Sequence, residues 1–193
     1  MDLLKDNVGK LYRKFFIASF GSALIACIYG LVDMAMVGQY HGPDGSAAMA
    51  VIAPIWNIIY SFGLLCGIGG SVIYAVARGE RDDVKEANGY FTSAFILGAI
   101  WALILWVLVW VCEEPLLRLF GANDALMPLC KEYMVAPKLT VPVYVFINLL
   151  SSFLRNDGDP GRATKAVIFG GIFNVFGDYF FVFTLDMGIK GAG

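Results

Sequence analysis

Residues 47–77 read AAMAVIAPIWNIIYSFGLLCGIGGSVIYAVA and contain no charged side chain in 31 positions. A helix needs about 20 apolar residues to cross the hydrocarbon core of a membrane, and backbone groups in lipid must form their hydrogen bonds within their own segment. This stretch therefore predicts a transmembrane helix that is long enough to tilt or to project beyond the membrane.

Four further windows of 20 to 23 residues have the same character, each with one charge or none: residues 15–37, 91–112, 134–154 and 166–185. The five windows hold 117 of the 193 residues but only 3 of the 30 charged groups. We therefore predict an all-α membrane protein in which five transmembrane helices form one bundle over residues 1–193. The chain is 59% hydrophobic with a net charge of −2, which excludes a disordered chain and a basic nucleic-acid-binding module.

Lysine and arginine are distributed unevenly between the two ends of these windows. Ten of them precede the first window or lie between the second and third or the fourth and fifth windows, whereas three lie on the opposite side. The positive-inside rule then places the N terminus in the cytoplasm. The first window is too long for the apolar region of a signal peptide, so we expect a multi-pass protein of the cell membrane.

Ionisable residues inside the windows are the strongest functional signal, because such groups are costly in a membrane and usually face a bundle interior or a water-filled cavity. Asp33 follows a stripe of small residues that favours close helix packing. Asp178 lies four residues after Asn174, so both share one helical face. The fourth window presents a polar stripe at the same spacing, formed by Thr140, Tyr144, Asn148, Ser151 and Arg155. Carboxylate and amide oxygens bind hard cations, and a buried carboxylate can carry a proton, although an intramembrane asparagine is also a common hydrogen-bond link between helices.

Other features have a structural interpretation beside a functional one. Gly63 and Gly67 form a GxxxG pattern, which favours helix packing over a hinge. Lys138 either reaches the membrane interface with its long side chain or guards an outward cavity. Residues 42–45 (GPDG) and 156–161 (NDGDPG) predict turns, with Pro160 just before the start of the next helix, and His41 is expected to be a solvated surface residue. The four cysteines show no metal-binding spacing and are expected to remain unpaired.

Six stretches, taken together and in order, resemble the first half of a multidrug and toxic compound extrusion (MATE) transporter. They are residues 31–38 (LVDMAMVG), 47–56, 77–81 (ARGER), 154–160 (LRNDGDP, similar to R-x-x-G-x-P), 171–178 (GIFNVFGD, similar to N-x-x-x-D) and 187–193 (MGIKGAG, similar to MGIxGA). The family often has a proline early in its first helix, whereas residues 18–21 of this chain have none.

The resemblance implies twelve transmembrane helices in two six-helix lobes, with Na⁺ or H⁺ exchanged for organic, often cationic, drugs. It implies a cation site in the N-terminal lobe, which would hold Na⁺ where Na⁺ is the coupling ion, formed by Asp33, Asn148, Asn174 and Asp178. Tyr144, Thr140 and Lys138 become candidates for the cavity wall. The chain would then supply five helices of the first lobe, without the sixth helix and the second lobe, and we expect the chain alone not to transport.

The resulting prediction is a cation-coupled exporter with no enzymatic activity and no cofactor apart from the coupling ion. Its expected partners are small organic substrates, membrane lipid and a C-terminal lobe, with no nucleic acid. Two alternatives stay open at this point: an exporter or flippase for a lipid-linked sugar or other amphiphile, and a truncated membrane module without transport activity.

Overall fold

The computed structural model describes residues 7–80, 84–157 and 160–192, and over these ranges the regular structure is helical throughout. The helices are α1 (Val8–His41), α2 (Pro43–Glu80), α3 (Val84–Val111), α4 (Glu113–Leu119), α5 (Met127–Tyr133), α6 (Val135–Asn156), α7 (Pro160–Asp178) and α8 (Ile189–Ala192). A π-helical segment, Tyr179–Thr184, continues α7.

Five helices are long and apolar enough to cross a membrane, namely α1, α2, α3, α6 and α7 with its π-helical continuation. This confirms the five predicted windows and the all-α membrane fold. Four of the helices begin four to seven residues before the predicted windows. The reason is that polar residues stop a hydrophobic window without stopping a helix, whose start is set by its cap. In α1 the cap is Asn7, whose side chain accepts a hydrogen bond from the backbone N–H of Gly9 at 2.9 Å.

The turns between the spans are short. Gly42 is the single non-helical residue between α1 and α2, with φ of +70°, and Pro43 is already the first residue of α2. The predicted four-residue turn is therefore too long, since proline at a first helical position leaves no backbone donor unsatisfied. The predicted turn after α6 lies between two helices, since α6 ends at Asn156, but Pro160 is the first residue of α7 rather than the residue before it.

The segment between α3 and α6 is more ordered than a connecting loop. It folds into α4 and α5, which contribute Leu117, Met127, Cys130 and Tyr133 to the main hydrophobic core. Its surface is fixed by Glu114, which contacts Lys131 at 2.7 Å and Arg118 at 3.2 Å. Lys131, and after it Arg118, hold the pKa of the Glu114 carboxyl below its usual value.

His41 also departs from the expectation of a solvated surface residue. Its side chain is half-buried, and Nε2 accepts a hydrogen bond from the backbone N–H of Ile189 at 3.0 Å. The neighbouring Tyr40 hydroxyl donates to Asp186. The end of α1 is therefore tied to the segment that follows α7, a contact that one histidine in a glycine-rich stretch did not indicate.

The bundle is held together by α2, which packs against α3 and α6, while α1 packs chiefly against α7. The glycines of α2 allow the close approach to α6. A Cβ atom added to Gly67 would lie 2.8 Å from the Leu149 Cα and from the Ser152 Oγ, and one added to Gly63 would lie 2.9 Å from the Asn148 Cβ. The packing interpretation of this GxxxG pattern is thereby confirmed.

The α2–α6 contact yields a stability prediction. Gly67→Val is expected to lower the unfolding free energy by about 1–3 kcal/mol, because the new side chain must displace backbone and side-chain atoms of α6. The measurement is the thermal unfolding midpoint in detergent micelles. Gly69→Val is the matched control, since a Cβ at Gly69 meets nothing within 4 Å. Equal shifts for the two variants would contradict this account of the packing.

Candidate functional site

The contact between α1 and α7 determines which polar side chains meet inside the bundle. At one end, Thr164 donates a hydrogen bond to the Ala18 carbonyl at 3.1 Å, and Ser22 donates to the Thr164 hydroxyl at 3.2 Å. Further along, Gly171 gives α1 room, because a Cβ there would lie 3.0 Å from Ile25 and 3.1 Å from Tyr29. The next turns of the two helices carry Asp33 and Asp178.

Asp33 and Asp178 lie close enough for their carboxyl groups to interact electrostatically. The Asp178 side chain is buried, with 4% of its surface exposed, and Asp33 is half-buried. The Asn174 amide donates a hydrogen bond to Asp178 Oδ1 at 3.4 Å. The structure therefore brings together three of the four residues predicted from the sequence.

Three oxygen atoms in this group are buried without a hydrogen-bond partner among the described residues: Asp33 Oδ1, Asn174 Oδ1 and Asp178 Oδ2. Leaving such an acceptor unsatisfied costs about 1–3 kcal/mol, and more when the group is charged. Carboxylate and amide oxygens of this kind suit a hard cation or a proton. No group of three or more His, Cys, Asp or Glu side chains that could hold a metal lies within residues 7–80, 84–157 and 160–192. The oxygens that the group offers to a ligand belong to two carboxylates and one neutral amide.

Tyr133, on α5, is a further member of this group that the sequence did not indicate. Its side chain is buried, and its phenol interacts electrostatically with Asp33 and Asp178. Burial, and secondly the Asp33 carboxyl, raise the pKa of the phenol, so it stays protonated and remains a hydrogen-bond donor. Tyr133 directly precedes the fourth apolar window, in a segment without helical periodicity of its own, so no sequence pattern connected it with the carboxylates.

Asn148 lies on α6 and is engaged there. Its amide donates to the Tyr144 carbonyl at 2.8 Å, and its Cβ faces Gly63 of α2. Among the described residues, no hydrogen bond joins Asn148 to Asp33, Asn174 or Asp178. Its role as a cation ligand stays a prediction.

The three candidates for the cavity wall have different surroundings. Tyr144 contacts Trp56 and Tyr60 of α2, with ring centroids 4.9 and 6.5 Å apart. Thr140 is exposed and donates to the Ala136 carbonyl at 3.0 Å. Lys138 is paired with Glu113 at 2.6 Å and lies over the Trp110 ring at 5.2 Å. Whether these side chains line a cavity stays a prediction.

Comparison with known proteins gives one consistent family. The MatE family model matches residues 18–180. The multidrug export protein MepA of Staphylococcus saprophyticus is 24% identical over 190 residues, which cover 97% of this chain and 42% of that protein. MepA of Staphylococcus aureus is 22% identical over the same length. The chain thus spans about two fifths of the curated relatives that it matches.

Solved structures agree with these sequence matches. The MATE multidrug transporter DinF-BH superposes with a TM-score of 0.91 at 26% identity, over 99% of this chain and 43% of that one. A MATE crystal structure in the bent conformation gives a TM-score of 0.85 at 27% identity, over 93% of this chain and 40% of that one. Both likenesses extend over nearly the whole chain.

The paired carboxylates yield a stability prediction. Asp33→Asn is expected to raise the unfolding free energy of the chain by about 1–3 kcal/mol in sodium-free buffer at mildly alkaline pH, because it removes one of two neighbouring buried charges and adds a donor. Thermal unfolding midpoints in detergent measure the change. Asp44→Asn, at an exposed carboxylate in the first turn of α2, is the control and is expected to stay within about 0.5 kcal/mol of the original chain. Destabilisation by Asp33→Asn would show that this carboxylate is compensated.

Proposed function

This chain belongs to the MatE family, and on that premise we propose that it forms the cation-binding lobe of an antiporter that exports organic, often cationic, compounds across the membrane. Asp33 and Asp178 hold the coupling cation, Asn174 supplies a neutral oxygen, and Asn148 completes the set when α6 and α7 draw closer. The chain spans about two fifths of the length of the multidrug transporters that it matches, which supports an arrangement in which export requires a second lobe.

One observation carries this proposal: three unpartnered oxygens, two of them on carboxylates, lie together where two membrane-spanning helices meet. Na⁺ would bind to these oxygens directly, whereas H⁺ would neutralise one carboxylate and turn it into a donor to the other. In either case, Asn174 keeps its hydrogen bond to Asp178 Oδ1 and holds that carboxylate in place. The Tyr133 phenol interacts electrostatically with both carboxyl groups and, because it stays protonated, adds no charge to the site.

Binding of the cation shifts the packing of α1 against α7. Without it, two carboxylates repel each other between these helices, and with it they attract a shared charge. An ion can drive a conformational change only through different affinities for two states, and this interface provides such a difference. The π-helical segment begins directly after Asp178, at Tyr179. A π-helical turn is often found at functional sites, and it gives α7 a place where its register can change.

The substrate class follows from the neighbouring aromatic residues. Trp56, Tyr60 and Tyr144 pack together on α2 and α6, and Tyr29 extends this group towards Asp33. Aromatic rings beside a carboxylate attract organic cations through cation–π and charge interactions. The alternative of a lipid-linked sugar exporter requires cationic side chains in the cavity. Residues 134–154 contain one such side chain, Lys138, and its charge is balanced by Glu113. This pairing favours the export of organic cations.

Transport measurements test the proposal directly. In a two-lobe transporter that contains this chain as its first half, Asp33→Asn or Asp178→Asn is expected to reduce ion-driven export of a cationic dye at least about tenfold, because loss of one charge–cation interaction exceeds about 1.4 kcal/mol. Asp44→Asn is the control for charge removal and should export normally. Unchanged export by both site variants would refute the assignment.

The identity of the ion is tested on the chain by itself. Na⁺ coupling predicts that added NaCl, compared with choline chloride, raises the unfolding midpoint at mildly alkaline pH, since a ligand that binds only the folded state stabilises it. H⁺ coupling predicts that only a lower pH has this effect. Asp178→Asn is expected to abolish whichever effect is observed. If neither condition stabilises the original chain, the three oxygens do not form a cation site.

A further inference from the structure

A groove that is separate from the carboxylate pair lies between α2, α3 and α6, at the end of the bundle where lysine and arginine are concentrated. Its volume is about 450 Å³. Four kinds of side chain line it: the aromatic rings of Tyr74, Phe91 and Phe153, the apolar chains of Leu150 and Leu154, the amide of Asn88 and the carboxylate of Asp157. The charge distribution assigns this end of the lobe to the cytoplasmic side of the membrane.

The aromatic rings stand at steep angles around Phe153. The Phe91 ring lies 5.0 Å from that of Phe153 with an interplanar angle of 88°, and the Tyr74 ring lies 5.5 Å away at 73°. The groove is therefore bounded by rings in different orientations, and a group inside it meets π-faces as well as ring edges. An organic ammonium group is attracted to aromatic faces, and more strongly when it is shielded from water.

Asp157 provides a negative charge beside these rings. Its side chain is exposed directly after the end of α6, and Oδ1 accepts a hydrogen bond from the Tyr74 hydroxyl at 2.9 Å. This bond fixes the carboxylate next to the ring of Tyr74. A carboxylate with aromatic rings around it is a recognition site for a positively charged organic group, and it disfavours an anionic one.

The position along α6 distinguishes a membrane lipid from a soluble cation. Leu150 and Leu154 are 40% and 38% exposed and lie one to two turns before Asp157, on the part of α6 that crosses the membrane. A ligand with its positive charge at Asp157 therefore has an apolar surface beneath it at the depth of the acyl chains. Arg78, one turn beyond Tyr74 on α2, lies close enough to the Tyr74 hydroxyl to interact electrostatically, and can meet a phosphate.

We propose that this groove binds an ammonium-bearing phospholipid of the phosphatidylethanolamine type. The ammonium group contacts Asp157 and the aromatic rings, the phosphate faces Arg78, and an acyl chain lies along Leu150 and Leu154. The lipid would then contact α2, α3 and α6 together, at one end of the group of helices against which α1 and α7 pack.

Native mass spectrometry of the full chain tests this proposal. The chain is purified in detergent and supplied with phosphatidylethanolamine or phosphatidylglycerol of the same acyl composition, and the bound lipid is measured. We expect preferential retention of phosphatidylethanolamine. Asp157→Asn and, separately, Phe91→Leu are each expected to weaken this retention about fivefold to tenfold, because each removes one attractive contact to the ammonium group.

A comparison variant and a control variant separate lipid recognition from helix packing. Tyr74→Phe keeps the ring and the carboxylate but removes the hydrogen bond that positions the carboxylate, so it is expected to weaken retention, but less than Asp157→Asn does. Asp44→Asn removes the same charge at the other end of the lobe and should have no effect on retention. The thermal unfolding midpoint of each variant identifies any loss of the fold, and Phe91→Leu tests the site even if Asp157→Asn unfolds.

Three results would overturn the proposal. The first is equal retention of the two lipids by the original chain. The second is a loss of phosphatidylethanolamine with Tyr74→Phe as large as the loss with Asp157→Asn. The third is binding of the soluble amphiphile dodecyltrimethylammonium without binding of phosphatidylethanolamine, since the groove would then select an ammonium group that does not come from a lipid.

Discussion

Two carboxyl groups inside the membrane bundle lie close enough to interact electrostatically, and neither has a cationic partner in the part of the chain that the structure describes. The candidate site depends on this constraint. Asp33 and Asp178 are brought together by the α1–α7 contact, which Thr164 ties at one end and Gly171 makes narrow. Packing thus forces together two groups that repel each other when both are charged. In the proposed function, binding of a cation or a proton relieves this repulsion, and helix packing is thereby linked thermodynamically to ion occupancy.

The five spans differ in how tightly they are packed, and this difference decides which helix can respond to the carboxylates. The α2–α6 contact is too close for any side chain at Gly63 or Gly67, and α3 packs against both helices, so these three form a frame with little freedom to rearrange. The apolar stretch of α1 is the least buried of the five spans. Only 6% of it is buried inside the structure, compared with 39% of the corresponding stretch of α2. A helix that is attached mainly through α7 and through the contacts of Tyr40 and His41 at its end responds to a change at Asp33 more readily than the frame does.

The sequence predicted the features that depend on the membrane itself. Windows with one charge or none located the five spans. The cost of an intramembrane carboxylate singled out Asp33 and Asp178, and helical spacing joined Asn174 to Asp178. It did not predict the helix starts, which depend on caps such as Asn7, or α4 and α5, whose short mixed sequences have no period. Tyr133 and His41 were missed for a related reason. The contacts that distinguish them are with residues far away in the chain, Asp33 and Asp178 for Tyr133 and Ile189 for His41, and no local sequence pattern indicates such contacts.

Burial of a polar atom is not enough to mark a functional site, as a comparison within this bundle shows. Glu113 also has a buried oxygen without a hydrogen-bond partner among the described residues, and Arg155 has such a nitrogen. Glu113, however, lies 2.6 Å from the Lys138 ammonium, and the two side chains are only 16% and 15% exposed, so its charge is balanced in place. Replacing that pair by apolar residues would cost little, whereas breaking it would leave one charge buried alone, which is the behaviour of a structural ion pair.

Asp33 and Asp178 instead have each other as charged neighbours, together with an amide that donates to a single oxygen. The lack of a countercharge within the described residues, rather than burial, separates these two carboxylates from Glu113, and the proposed cation site rests on this difference.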